Sequence, residues 1–206
     1  MRRSRRRTPH RRKREGKTDY RVRLSLLKSR KPRLVVRKSL NNVICQIVKF
    51  DPEGDRVVVS ADSKELKKFG WKFHCGNVPS AYLTGLLCAE KAKKHKVSEA
   101  ILDIGLYEST PGNRLYSALK GAVDGGLEVH HSEDVLPKPE RLAGQHISEY
   151  AGKLKSSGPT KYRKVFSSYK KSKLDPKDMP KIFEQTKKKI SGAKERKKKA
   201  SSKSKK

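Results

Sequence analysis

From residue 33 to residue 129 the apolar residues fall into short blocks whose spacing sets the elements. Arg33–Lys38 (RLVVRK) is a β-branched run with polar ends, Val43–Phe50 (VICQIVKF) a second, and Arg56–Ala61 (RVVVSA) a third. Between them, Ser39–Asn42 and Asp51–Asp55 have turn composition, since Pro52 presets one dihedral and Gly54 permits the left-handed one. Three strands on short turns predict an antiparallel meander. Ser63–Lys68 suits a helical turn or two, and Phe69–Asn77 reads as loop. In Val78–Lys96, residues Ala81, Leu83, Leu86, Leu87 and Ala89 form an apolar stripe with Glu90, Lys91, Lys93 and Lys94 closing it. That pattern predicts an amphipathic helix with Asn77 as N-cap and Pro79 in the first turn. Ala100–Gly105 predicts a strand buried in a sheet covered on both faces. A helix over Asn113–Asp124 stops at Gly125-Gly126, and Leu127–His130 is a weak last strand.

The order β-β-β-α-β-α-β belongs to an α/β domain: a three-layer-like unit with a mixed sheet and helical cover, over residues 32–136. Residues 1–31 form a basic amino-terminal arm, and 137–190 a basic, mostly helical extension. In that extension Pro139–Lys155 predicts one helix with Leu142, Ile147, Tyr150 and Leu154 apolar, broken by Ser156–Pro159. A shorter helix is expected over Asp178–Ile190, and the Lys/Ser-rich residues 191–206 are expected to be a disordered tail.

Charge changes the picture most. The chain of 206 residues has 53 Lys plus Arg against 21 Asp plus Glu, a formal +32, and only 33% of it is hydrophobic. Residues 1–38 carry a net +16 and 151–206 a net +17, while 39–150 are nearly neutral at −1. Ends this charged repel themselves and call for a polyanion. A membrane surface would require an amphipathic helix, yet residues 1–19 contain no Leu, Ile, Val, Phe or Trp. No apolar run approaches the roughly 18 residues that span a bilayer. The Arg-rich start lacks the apolar stretch of a secretory leader. Three cysteines (Cys45, Cys75, Cys88) fit a reducing compartment, and cytoplasmic localisation is expected. Nucleic acid is the expected partner, because counterion release from phosphates rewards such charge.

Enzymatic chemistry finds little support. The strand order is also that of ribonuclease-H-like nucleases, whose metals need several carboxylates. Strand four offers Asp103, but strand one offers Arg33, Arg37 and Lys38. The cysteines show no C-x-x-C, and His74-Cys75 is an isolated pair. Cys75, just ahead of a helix N-terminus, has the placement of a thiol with lowered pKa, but no acid–base partner is visible. No phosphate-binding glycine loop occurs. No catalytic residue, metal, cofactor or small-molecule substrate is expected.

The candidate RNA-binding residues form three groups. In the arm they are Arg11, Arg12, Arg14, Lys17, Tyr20, Arg21, Arg23, Arg30 and Lys31. Arginine outnumbers lysine 13 to 5 in residues 1–38, and its planar fork grips phosphate bidentately and stacks on bases. The second group is Arg33, Arg37 and Lys38 with Asn41 and Asn42 in the following turn, read as one face. The third is the loop of Lys67, Lys68, Phe69, Trp71 and Lys72, with Asn77 beyond it. Exposed aromatics among cations stack unpaired bases; equally, Trp71 and Phe73 suit the core beneath the helix. Changing Arg33, Arg37 and Lys38 together to Ala is expected to weaken RNA binding without unfolding the domain.

Several segments resemble, in order, a known family. Arg33–Ser39, Val43–Ile47 and Ser60-Ala61 are similar to the opening hairpins of the large-subunit ribosomal proteins that bind 5S rRNA (number eighteen in bacterial naming, five in eukaryotic). Gly76-Asn77, Ala81-Tyr82 and Thr84–Leu87 resemble the family's first helix. Asp103–Gly105, Arg114, Ala118-Leu119, Ala122 and Gly125–Leu127 resemble its second half. Gly16–Arg21, His146–Ala151 and Leu174–Pro176 look like its archaeal and eukaryotic branch, and the length favours an archaeal-type member. The resemblance implies 5S rRNA and large-subunit rRNA as partners, with neighbouring ribosomal proteins of the central protuberance. It also implies that the arm and hairpin face meet 5S rRNA. The rival reading is a protein that compacts nucleic acid by charge alone.

Overall fold

A computed structural model describes residues 8–172 and 174–203. Strands β1 (Arg33–Lys38), β2 (Val43–Lys49) and β3 (Arg56–Asp62) form the expected antiparallel meander, with Arg33 opposite Val48 and Lys38 opposite Val43. Strand β4 (Glu99–Asp103) enters parallel to β1, with Arg33 beside Ile101, and β5 (Glu128–Val129) lies parallel outside it. The order β3–β2–β1–β4–β5 makes the mixed sheet expected from the sequence.

Two helices supply its cover. Helix α1 (Arg11–Arg14) and helix α2 (Tyr20–Lys28) belong to the arm, while α3 (Val78–Lys94) and α4 (Arg114–Asp124) connect β3 to β4 and β4 to β5. Asn77 caps α3 by accepting from Ser80 N at 2.9 Å, and Asn113 caps α4 by accepting from Leu115 N at 2.8 Å. Because side chains alternate along a strand, Leu34, Val36, Val43, Cys45, Ile47, Val59 and Ala61 form the sheet's contribution to one buried cluster with α3 and α4.

The two helices approach very closely. A Cβ on Gly85 would lie 1.9 Å from Ala118 O, and one on Gly121 would lie 2.0 Å from Tyr82 O. Each glycine therefore admits the backbone of the opposite helix.

Three expectations are corrected. Strand β4 is not covered on both faces: Ala100 is buried, but Ile101, Leu102 and Asp103 are half-buried, and at its end Asp103 and Ile104 open into a groove. The single helix expected over Pro139–Lys155 is two, α5 (Pro139–Ala143) and α6 (Gln145–Ser157). Gly144 between them takes φ +84°, and a Cβ there would meet Met179 Sδ at 2.9 Å, so the bend accommodates the start of the last helix. After α7 (Pro159–Val165) and α8 (Ser167–Lys171), helix α9 runs Met179–Lys203, through most of the tail expected to be disordered. Met179, Phe183 and Ile190 are buried in the main cluster and anchor α9. Extending an anchored helix costs far less than nucleating one, and lysine is a fair helix former. Residues 204–206 lie outside the described residues.

Gly85→Ala and Gly121→Ala should each destabilise the fold by about 3 kcal/mol or more through overpacking. Gly54→Ala, where a Cβ meets nothing within 4 Å, should stay within about 0.5 kcal/mol of the parent. Urea denaturation of the three variants checks the contrast; equal midpoints would contradict the helix contact.

Candidate nucleic-acid interface

The arm is fastened to the sheet by charge. Arg23 in α2 donates bidentately to Asp55 in the β2–β3 turn, Nη1 to Oδ2 at 2.7 Å and Nη2 to Oδ1 at 2.9 Å. Arg33 at the start of β1 donates to the same Asp55 Oδ2 at 2.5 Å and to Asp103 Oδ2 of β4 at 2.6 Å. Burial pushes the Asp55 carboxyl up, but the Arg23 hydrogen bond and the Arg33 and Arg23 charges outweigh it and hold the pKa below the ordinary value of 3.8. Asp103 Oδ1 also accepts from Gly105 N at 2.9 Å, turning the chain out of β4.

Arg33, expected to face RNA, is thus only 5% exposed and committed to two carboxylates. It serves instead as the pivot that places the arm. The triple alanine change read from the sequence would break this pivot, so it does not test RNA binding alone. Arg37 and Lys38 do not share a face either, because adjacent residues of a strand point to opposite sides. Arg37 lies in the groove, whereas Lys38 holds its ammonium 5.2 Å from the Tyr107 ring centroid.

Between arm and sheet lies a groove of about 1070 Å³. Arg12, Lys17, Tyr20 and Arg23 line it from the arm, and Arg37 and Gln46 from the strands. Arg12 Nε donates to Thr18 Oγ1 at 2.9 Å, Lys17 pairs with Glu15 at 2.9 Å, and the Tyr20 ring packs 4.9 Å from that of His10. These contacts shape the arm while leaving Arg12 and Lys17 exposed; Arg11, Arg14 and Arg21 are exposed on the same arm. A groove edged by the Arg12 fork and Lys17 on one side and amide and guanidinium groups on the other is suited to a phosphodiester backbone.

The hairpin tip joins the third group of residues. Asn42 closes the turn through Ser39, and Asn41 Oδ1 lies 3.3 Å from His74 Nε2. Gly76 N donates to His74 Nδ1 at 3.1 Å, which makes Nε2 the protonated nitrogen that donates to Asn41. Arg114 Nη1 donates to Ser39 O at 3.1 Å and Gly76 O at 2.7 Å, pinning the tip against the entry to α3. Sequence reasoning missed this role for Arg114, and also Asp55 and Tyr107; only the family resemblance had marked Arg114.

The loop aromatics go inward. Trp71 is 1% exposed and Phe73 is 3% exposed, with ring centroids 5.5 Å apart, and Tyr169 of α8 packs edge-on to Phe73 at 5.4 Å. Phe69 is partly buried against the same cluster. Of the two readings of Trp71, the core packing is the one this fold realises. A seven-residue 3-10 turn, Ser63–Phe69, carries Lys67 and Lys68 outward, and Lys72 is also exposed. Asn77 is committed to capping α3 rather than displayed. Arg30 and Lys31 lie apart from the groove, lining a second depression beside Phe50.

Cys75 does not have the lowered pKa its position suggested: burial pushes its thiol up, and Cys88 is pushed up to about 12 by the same cause. Among the described residues no three His, Cys, Asp or Glu side chains gather as a metal site, and no helix is long and apolar enough to cross a membrane.

Arg33→Ala should cost about 3–5 kcal/mol, because it leaves two partly buried carboxylates without their partner. Asp55 has a depressed folded pKa, so its contribution is complete above 3.8 and fades as pH falls through the folded value. The stability advantage of the wild type over Asp55→Asn should therefore be full at neutral pH and shrink in strong acid. Urea titrations across that range check the sign; a pH-independent advantage would exclude the ion pair as its source.

Comparison with known proteins agrees with this architecture. The family described as ribosomal large subunit proteins 60S L5 and 50S L18 matches residues 4–98 and 89–132. The large ribosomal subunit protein uL18 of Methanococcus maripaludis is 52% identical over 184 residues, covering 89% of this chain and 95% of that protein. With sheet order, basic arm and sequence in agreement, the chain belongs to the L5/L18 family of large-subunit ribosomal proteins, in its archaeal type.

Proposed function

We propose that this protein, a structural component of the large ribosomal subunit, binds 5S rRNA and anchors it to large-subunit rRNA in the central protuberance beside neighbouring ribosomal proteins. The observation that carries the reading is the groove in which Arg12, Lys17, Tyr20 and Arg37 converge. Its arginines offer paired donors to successive phosphates, while the Arg23–Asp55–Arg33 lock holds the arm at a fixed distance from the sheet. A preset distance favours one helical shape of RNA over a flexible polyanion, since the ordering of the arm is already accomplished before binding. The exposed Lys67, Lys68 and Lys72, with Lys181, Lys188 and Lys189 of α9, extend the basic surface away from the groove. Those lysines, point charges on flexible stems, suit less shaped contact with the surrounding rRNA.

A competition titration tests the reading. Labelled 5S rRNA held by the full chain should be displaced by unlabelled 5S rRNA at concentrations at least about tenfold below those needed with tRNA or duplex DNA. Equal displacement per phosphate would instead establish the charge-only reading.

The double change Arg37→Ala, Lys38→Ala replaces the triple variant, because it spares the Arg33 pivot. It should leave the unfolding midpoint nearly unchanged and lower the slope of log affinity against log salt by about 1–2, one phosphate contact accounting for roughly 0.7–0.9. An unaltered slope would remove these two side chains from the interface.

A further inference from the structure

At the end of the sheet remote from the hairpin tip lies a second depression, about 480 Å³, lined by Leu27, Arg30, Lys49, Phe50, Lys96 and Val97 among others. Phe50 follows the last residue of β2 and is 56% exposed, although it is an aromatic residue in a chain with few of them. Arg30, Lys49 and Lys96 surround it, all exposed. Among the described residues none of these three side chains has a hydrogen-bond or ion-pair partner. The one carboxylate there, Glu99, is already taken by Lys31 at 2.6 Å.

The backbone adds an independent observation. Arg30 (φ +58°) and Lys96 (φ +53°) are the non-glycine residues in the left-handed region among the described residues, and both line this depression. Each lies just past a helix end: Arg30 N donates to Leu27 O at 3.0 Å after α2, and Lys96 N donates to Lys93 O at 3.4 Å after α3. Glycine is the favoured residue at such positions, and a side chain there is disfavoured. Two cations kept at two glycine positions, both bordering one exposed phenyl ring, point to a use for the cations beyond ending helices.

We infer that this depression is a second RNA contact, in which one unpaired nucleotide stacks on the Phe50 ring while Arg30, Lys49 and Lys96 hold its flanking phosphates. The excess of cations selects a polyanion over an apolar protein segment, and the single small platform selects an extruded base over a duplex, whose bases offer no free face. The inference rests on the RNA-binding reading above but uses residues outside its groove.

The full chain carrying Phe50→Trp supplies the readout, because the introduced indole is quenched by a stacked base, whereas Trp71 is buried. Single-stranded oligoadenylate should quench the new emission by half or more, and a blunt RNA duplex with the same number of phosphates should not. Quenching by neither, or equally by both, overturns the site. Titration with 5S rRNA and with large-subunit rRNA fragments then identifies which of them supplies the nucleotide. The double variant Arg30→Gly, Lys96→Gly should melt at a higher temperature yet bind oligoadenylate about fivefold more weakly. A variant that binds as tightly as the parent overturns the role of the cations. Selective 5S rRNA binding by the wild type, with no signal from the introduced indole, sinks this site alone. Loss of 5S selectivity in the wild type sinks the earlier reading.

Discussion

A guanidinium enclosed by two carboxylates sits where the central strand, the β2–β3 turn and the amino-terminal arm meet, and the working surface depends on it. Arg33 donates to Asp55 and Asp103, and Asp55 in turn accepts the fork of Arg23. Residues 1–38 carry a net +16, so an arm of this charge would be repelled by its own neighbours and would sample many positions. Asp55, itself held by Arg33, gives it one position. The Arg23 and Asp55 side chains are 29% and 23% exposed, so salt screens this attraction less than it screens the open lysines.

The other basic end is held by different forces. Met179, Phe183 and Ile190 set α9 into the apolar cluster, and Tyr82 packs its ring 5.4 Å from that of Phe183. Further contact comes from a series of rings, Tyr162, Phe166, Tyr169, Phe73 and Trp71, that leads from the extension into the core. Tyr169 Oη accepts from His74 N at 3.3 Å, so the extension also touches the loop behind the hairpin tip. Ion pairing positions the front of the molecule and apolar packing the back. Acid loosens the first through Asp55, while the second rests chiefly on buried apolar contact.

Helix α3 is the element on which the sheet, α4 and the carboxyl-terminal extension all pack. Its Gly85 face lies against α4, other residues of its surface meet β2 and β3, and α9 packs on it as well. Lys91 near its end donates to Glu65 Oε2 at 2.7 Å, tying the 3-10 turn to it. Every residue from Val78 to Ala89 is buried, which is why an apolar stripe in the sequence understates how completely the helix is enclosed. A stripe predicts one covered face, and only packing by several separate elements explains the burial of Ser80 and Thr84. Their hydroxyls are satisfied within the helix, Thr84 Oγ1 donating to Ser80 O at 2.7 Å.

By itself the sequence determined what is local or periodic. The strand starts at Arg33, Val43 and Arg56, the cap Asn77, the stop at Gly125-Gly126 and the charge blocks all follow from period-two alternation, side-chain capping and composition. The ordered resemblance of its segments carried the family. Tertiary structure alone decided which cations face outward. Arg33 and Arg37 are alike in residue type and share a strand, yet one meets Asp55 and Asp103, at separations of 22 and 70 residues, and the other opens to a groove. The same holds for Trp71, drawn inward by Phe73 and by Tyr169 almost a hundred residues later. Even the bend at Gly144 exists to admit Met179. Burial and ion pairing are set by partners far along the chain, and a local pattern holds no record of which partner will arrive.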